Sequence, residues 1–550
     1  MRRGMMDNHP TRSASQGRLE GTDKLTCQHR PGDGETDAIE AHDEHKQRQE
    51  YSPARRLAMK RRAFVEAGLA LTAAWPMRGW SAVLKNVGDI AAKSLDGADL
   101  TLRGSSVEAL AASLRGDVLL PGNPDYERTR RVWNGMFDKH PALIACCTGA
   151  SDVRHAVDFA REHQLLTAIR AGGHSVSGKS TCDGGLVIDL QQMQGVRVDP
   201  ETRRAYLESG SLLGQLDHES AAFGLATTAG TFSDTGAAGL TLGGGFGRLG
   251  RRFGLACDNV ASFDVVTADG RFLRAAADEN MDLYWGLRGG GGNFGVVTSI
   301  EYRLHPVDPI ILGGMIVWPF DQARAAARFY RDVAMDAPEV VNLLPVLYWE
   351  KGTPYFGVEA CWSGDHAEGE AWLKPLRAFG KPAMDDIGLM PYVKLQSSSD
   401  ASAPHGIRAY AKNGFVGALS NDDIDLMLDV FARTPGLYDM FCDHCGGAYS
   451  RVPLESTAFP RRDMKFVLAI WSGWSTSDGI DEKVAQMRAA WKELEPLTKG
   501  FYTNYVGSDT VAAGYRENFG ANFERLVALK AKYDPMNLFR LNANVPPKTG

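Results

Sequence analysis

Between Gly172 and Gly295 the chain carries three separate glycine-rich loops, and no other feature constrains its fold as strongly. The first is Arg170-Ala171-Gly172-Gly173-His174-Ser175-Val176-Ser177-Gly178. The second begins Thr228-Ala229-Gly230-Thr231-Phe232-Ser233-Asp234-Thr235-Gly236 and runs on through Gly239, Gly243, Gly244 and Gly245 to Gly247. The third is Arg288-Gly289-Gly290-Gly291-Gly292-Asn293-Phe294-Gly295-Val296-Val297. Glycine accepts backbone angles closed to other residues, so the chain can approach a ligand closely at such points. Successive exposed N–H groups form anion-binding nests, and three loops in one region imply a shared cradle for one diphosphate.

One stretch, Gly245-Phe246-Gly247-Arg248-Leu249-Gly250, matches GxGxxG literally, with Asp269 downstream where a ribose-binding acid would be sought. That fingerprint should follow a buried strand and open a helix. Here it follows a run too rich in glycine for a core strand, and the residues from Arg251 to Val260 contain Gly254 and lack an apolar stripe. A Rossmann fold is not expected.

Short β-type runs alternate with glycine turns from Leu119 to His305, among them 142–145, 186–190 and 263–267. Residues 151–163 are predicted helical, with Ser151 as N-cap and Val153, Ala156, Val157 and Ala160 on one face. A second helix is expected over 210–223, and a helical lead-in over 83–117. After Pro306, strands over 310–318 and 343–349 alternate with helices over 321–334, 422–432 and 481–494. That pattern predicts the α+β class with a large, mostly antiparallel sheet.

The net charge of -6 provides no basic stripe for a nucleic acid. Eight cysteines are too few for a disulfide scaffold. Cys442 and Cys445 form a CxxC without a second ligand pair, so no metal site is expected and both read as structural cysteines. No Gly-x-Ser-x-Gly elbow marks a hydrolase. Residues 1–58 are polar and poor in large apolar side chains, which predicts a disordered extension. Over 59–82, Arg61-Arg62 and a short apolar run resemble a twin-arginine export signal, placing the true start at Met59 and the mature chain outside the cytoplasm. The run is shorter than the ~20 apolar residues a bilayer span needs, so no stable membrane anchor is expected.

Arg170-Ala171-Gly172-Gly173-His174-Ser175 resembles the flavin-attachment loop of the berberine bridge enzyme-like branch of the vanillyl-alcohol-oxidase, or PCMH-type FAD-binding, family. The resemblance extends through Asp258-Asn259-Val260, Val265–Gly270, Tyr284–Gly295, Lys532–Asn537 and Asn542-Ala543-Asn544. It implies an FAD-binding domain of two α/β subdomains over 118–307, a substrate domain over 308–500, and a C-terminal segment over 501–550 that returns to complete the FAD site. The implied cofactor residues are Arg170, Ala171, Gly172, Gly173, His174, Ser175, Gly230, Thr231, Ser233, Asp234, Thr235, Gly236, Gly239, Gly243, Gly244, Gly245, Gly295, Val296, Val297, Asn542 and Asn544.

By the same resemblance His174 bonds covalently to the flavin. Relatives add a second bond from a cysteine at the position of Phe232, which cannot form it, so a single link is expected. Thr235 stands where the family's oxygen access is set. The implied reaction takes a hydride from an alcohol-type carbon of a sugar or secondary metabolite onto flavin N5. Reoxidation by molecular oxygen gives hydrogen peroxide; another electron acceptor or a silent flavin-binding protein are the alternatives. Tyr502 and Tyr505 are candidate bases, with Lys412 as the cation that would lower a phenol pKa. If 501–505 is a strand, Tyr502 and Asn504 share one face and Tyr505 the other; the resemblance favours Tyr502, because relatives commonly carry Phe at the position of Tyr505.

Overall fold

The computed structural model describes residues 84–507, 509 and 512–547. The expected extension over 1–58 and the export signal over 59–82 lie outside the described residues. The lead-in differs from expectation: a hairpin of Ile90–Lys93 and Asp99–Leu102 precedes the helix Gly104–Ser113. Asp96-Gly97 forms its turn, with Gly97 at φ +86°, and an Asp-Gly pair is a stronger local instruction than helical periodicity.

A first sheet contains, in spatial order, the strands Val118–Leu119, Leu143–Cys146, Leu186–Asp189 and Thr167–Arg170, the last three parallel. Leu143, Ile144, Leu186 and Ile188 are wholly buried, as unbroken apolar runs must be in a sheet covered on both faces. Helix Ala150–Glu162 buries Val153, Ala156, Val157 and Ala160 on its inner side. Its start differs from the sequence reading: Gly149 is the N-cap, Ser151 is exposed, and the Asp152 carboxylate takes the N–H groups of Arg115, Gly116 and Thr148.

A second, antiparallel sheet orders Phe272–Ala276, Val260–Val266, Val296–Arg303, Arg204–Glu208 and Val196–Asp199. The first glycine loop leaves the strand Thr167–Arg170, the third leads into Val296–Arg303, and the second follows Leu225–Ala226, a short strand paired with His305–Pro306. A third sheet of eight strands follows Val307, with Ile310–Pro319, Thr353–Trp362, Val341–Glu350, Asp439–His444, Phe466–Trp474 and Arg408–Val416 as its main strands. Neighbouring pairs in it are antiparallel.

Alternation gives this third sheet two faces. Leu343, Leu347, Met440 and Cys442 pack outward against the helices Phe320–Met335, Asn421–Ala432 and Ile480–Leu494. Leu344, Val346, Asp439, Phe441 and Asp443 take the alternate positions and face a cavity between this sheet and the glycine loops. Cys442 thus lies in the helix-side core, while Cys445 joins a separate cluster around Phe246 and Tyr502; both are unbonded. No helix among the described residues is long and apolar enough to cross a membrane.

Candidate functional site

The cavity encloses about 500 Å³ and is bounded by all three glycine loops, the third sheet and the C-terminal tail. The first two loops cross where Gly172 meets Gly236: a Cβ on Gly172 would lie 2.4 Å from the Gly236 Cα. Asn134, wholly buried, stitches this region to the third sheet by donating to the carbonyls of Val176 and Ala409 and accepting from the Ala409 N–H.

His174 stands on the cavity wall. Trp133 stacks on its ring at 4.1 Å, and Phe232 lies at 6.4 Å on the same wall. The Asp234 carboxylate sits 3.5 Å from His174 Nε2 and 3.8 Å from His405 Nε2. Burial alone would raise the Asp234 carboxyl pKa, but His174 and His405 outweigh burial and hold it below its ordinary value.

The tail closes the third loop. Asn293 donates to the carbonyls of Gly290 and Ala543 and accepts from the Val545 N–H at 3.0 Å. Asn542 donates to the Gly292 carbonyl, and Lys179 donates to the Asn542 carbonyl and the Tyr515 hydroxyl. Lys179 lines the cavity beside these groups, and burial pulls its pKa down to about 8. Sequence reasoning missed Trp133, Lys179 and Tyr515, which lie outside the glycine-rich runs.

Of the residues named from sequence, Ala171, Gly172, Gly173, His174, Ser175, Gly230, Thr231, Thr235, Gly236, Gly239, Gly243, Gly295, Val296, Val297 and Asn542 line the cavity. Arg170, Ser233, Asp234, Gly244, Gly245 and Asn544 stand behind it. Arg170 is buried against Asp189 and the Thr129 carbonyl, and Ser233 binds the Asp400 carboxylate. Gly244 and Gly245, at φ +118° and +89°, form the turn over Phe459 and Ala256.

The tyrosine segment departs from the sequence reading. Residues 503–505 form a 3-10 turn rather than a strand, so the period-two argument has no basis there. Tyr502 is buried behind the second loop, where its hydroxyl accepts from Gly245 N–H at 3.1 Å and Asn504 Nδ2 at 2.7 Å. Tyr505 lines the cavity instead, with its ring 5.9 Å from Phe441. Burial, then the neighbouring Asp443, hold its phenol well above the ordinary value. Lys412 points to the far face of its strand, paired with Asp509 at 2.9 Å, and supplies no cation to either phenol.

The third sheet contributes groups that sequence reasoning did not name. Arg248, from the literal GxGxxG stretch, binds Glu359 through two bonds of 2.8 and 3.0 Å. Asp439, Phe441 and Asp443 stand on one face of one strand. Burial pushes the Asp439 carboxyl up to about 6 and the Asp443 carboxyl up to about 7. The alternation Asp439-Met440-Phe441-Cys442-Asp443 was the signal in the sequence that could have placed them together.

These walls fit a flavin. A Cβ added to Gly239 or Gly292, both lining the cavity, would meet no protein atom within 4 Å, so the backbone there is open to a ligand. Asn542 Oδ1, on the cavity wall, is sealed from solvent without a hydrogen-bond partner, which is costly unless a ligand's polar edge meets it. Fold and cradle together define a PCMH-type flavoenzyme.

Comparison with known proteins agrees. Residues 141–276 match the FAD binding domain family, and residues 502–546 match the berberine and berberine-like family. An FAD-linked oxidoreductase of Dictyostelium discoideum is 32% identical over 450 residues, 80% of this chain and 97% of its own. The (R)-6-hydroxynicotine oxidase of Paenarthrobacter nicotinovorans is 30% identical over 472 residues, 81% of this chain and 99% of its own. The crystal structure of 6-hydroxy-D-nicotine oxidase from Arthrobacter nicotinovorans superposes with a TM-score of 0.73 at 28% identity, over 79% of this chain and 99% of that one. The chain belongs to the berberine bridge enzyme-like family of FAD-linked oxidoreductases.

Proposed function

We propose that this chain oxidises an oxygen- or nitrogen-bearing carbon of a small molecule, using FAD bonded through His174 alone. When bound, FAD supplies at N5 the acceptor for the substrate's hydride, and molecular oxygen then takes the electrons as hydrogen peroxide. The observation that supports this most is His174 itself, ring-stacked on Trp133 at the wall of a glycine-lined cavity, with the Asp234 carboxylate 3.5 Å from its Nε2. Stacking fixes the plane of the imidazole, and Asp234 favours one orientation of it. Phe232 fills the place where a second attachment would need a thiol.

The chain's own groups divide the proton work. A phenol held above its ordinary pKa keeps its proton, so Tyr505 donates a hydrogen bond to the substrate heteroatom rather than acting as base. A carboxylate titrating near 7 is better matched to accept that proton, and Asp443 faces the same space. One named relative oxidises hydroxynicotine, a compound with both hydroxyl and amine groups. Thr235 on the cavity wall supports a second reading, in which another acceptor replaces oxygen.

Acid precipitation of the purified protein tests the attachment. Flavin absorbance is expected in the pellet for wild type and in the supernatant for His174→Ala. Flavin in the supernatant for both removes His174 from the attachment role; no flavin in either overturns the whole reading. Peroxide production during turnover separates the oxidase from the dehydrogenase.

A further inference from the structure

We propose that Lys179 is the counter-cation of the FAD diphosphate, gripping it where the first glycine loop, the third loop and the C-terminal tail meet. The inference goes beyond the reading above, since it holds whichever bond attaches the flavin and whatever the flavin oxidises.

Lys179 follows Gly178 directly and lines the cavity. Its ammonium donates to the Tyr515 hydroxyl at 2.5 Å and to the Asn542 carbonyl at 2.8 Å, both uncharged. Asn542 in turn donates to the Gly292 carbonyl, which brings the third loop to the same point. Lys179 forms no ion pair among the described residues. The charge that acts on it is a second ammonium, Lys139, itself bound to the carbonyls of Gly178 and Thr181. Asp509, on the segment that leads to Tyr515, is taken by Lys412 and Arg488. A buried cation without a counter-charge is costly. An ammonium has three donors, and these contacts use two of them. The next side chain, the Ser180 hydroxyl, is 8% exposed and lines the same cavity without a hydrogen-bond partner. Adjacent residues thus hold one charged and one neutral donor for an acceptor that the protein does not supply.

The charge pattern of the walls identifies that acceptor. Every carboxylate lining the cavity among the described residues, Glu359, Asp439 and Asp443, belongs to the third sheet. Arg248, the other lysine or arginine on the walls, is held by Glu359 in a buried ion pair. Lys179 is therefore the uncompensated positive pole, on a wall without acids. FAD meets such a pole with its diphosphate, which is ionised in both redox states. The isoalloxazine ring gains charge only on reduction, so it would leave the ammonium unpaired in the resting enzyme. Backbone N–H groups of the glycine loops offer a diphosphate partial charges; Lys179 adds a full one, as a point charge.

Titration of FAD into flavin-free His174→Ala protein reads the charge, and phosphorus NMR of the bound cofactor reads its place. Lys179→Gln retains a donor for the Tyr515 and Asn542 oxygens and drops the charge. It should weaken FAD binding about tenfold or more, and Lys179→Arg should restore most of that affinity. In the otherwise unaltered holoenzyme, Lys179→Gln should move a diphosphate phosphorus resonance and leave the flavin's reduction potential where it is. An affinity within about twofold of the parent, or phosphorus resonances that stay in place, overturns the proposal. So does an altered reduction potential with unmoved resonances, which would put the ammonium against the ring. If Lys179→Gln fails to fold, Lys179→Arg decides in its stead, because a guanidinium in the same contact must move those resonances. The phosphorus signal is read from bound FAD without turnover, so failure here leaves the oxidoreductase reading intact. Absence of FAD from the purified wild type would instead sink that reading.

Discussion

At the scale of single residues, the glycines separate into those the fold needs and those the ligand needs. Gly172 is of the first kind, since its Cβ would lie 2.4 Å from the Gly236 backbone. Gly239 is of the second, with no protein atom within 4 Å of an added Cβ although it lines the cavity. Gly239→Ala is therefore expected to leave the flavin-free protein within about 1 kcal/mol of wild type, the range of a Gly-to-Ala change in a helix. It should lower the flavin content of the purified protein. Gly172→Ala should cost on the order of 1–3 kcal/mol in urea unfolding, because backbone has to move. Equal flavin loss in both, or a destabilised Gly239→Ala, would show that this division is wrong. In the sequence the two glycines look alike; only the packing around each distinguishes them.

At the scale of elements, legibility followed how local the determinants are. The runs 142–145 and 186–190 were readable because strands buried on both faces are apolar without interruption. The helix over 150–162 was readable from its stripe, but its cap was not, because Asp152 collects donors from Arg115 and Gly116, far away in sequence. The strand expected around Tyr502 and Tyr505 was misread for a similar reason. A 3-10 turn, tied to Gly245 through the Tyr502 hydroxyl, replaces the strand that would have set their faces.

The tail shows the strongest case of distant determination. Lys530 is fully buried, and its ammonium donates to Asp534, the Asn293 carbonyl and the Phe539 carbonyl at 2.7, 2.8 and 2.9 Å. It thereby ties the terminal helix to the third glycine loop. Lys530→Met would leave Asp534 buried without its cation, held only by the N–H groups of Leu538 and Phe539, and is expected to cost roughly 3–5 kcal/mol. Urea unfolding reads the loss, and flavin should dissociate at lower denaturant than the protein unfolds. A loss below about 1 kcal/mol would mean the ammonium is not the tie.

At the scale of the whole molecule, one polar chain joins the cofactor cradle to the third sheet. Arg248 leaves the second glycine loop to bind Glu359 and Gln396, and Gln396 donates to Asp217 at 3.2 Å and to the Ala229 carbonyl at 3.1 Å. Four partners spread from residue 217 to residue 396 cannot be paired from a single sequence, which is why Arg248 was read only as part of a glycine motif. Asp217 is the sensitive member. Burial raises its carboxyl from 3.8 to about 7 against the smaller opposing pull of Gln396 and Arg248, and its Oδ1 has no partner. The native state then holds this proton up to about 7, whereas an unfolded aspartate releases it near 3.8. Between those values the native state binds more protons than the unfolded state, so this group's contribution to stability falls as pH rises. Asp217→Asn keeps an oxygen to accept from Gln396 and has no proton to lose. The stability of wild type minus that of the variant should therefore decline from pH 4 to pH 7, by at most about 4 kcal/mol. Asp439 and Asp443 shift in the same direction, but they are present in both proteins and cancel in the difference. Parallel curves for the two proteins across that window would mean that Asp217 is ionised in the native state and that the chain from Arg248 ends in a charge.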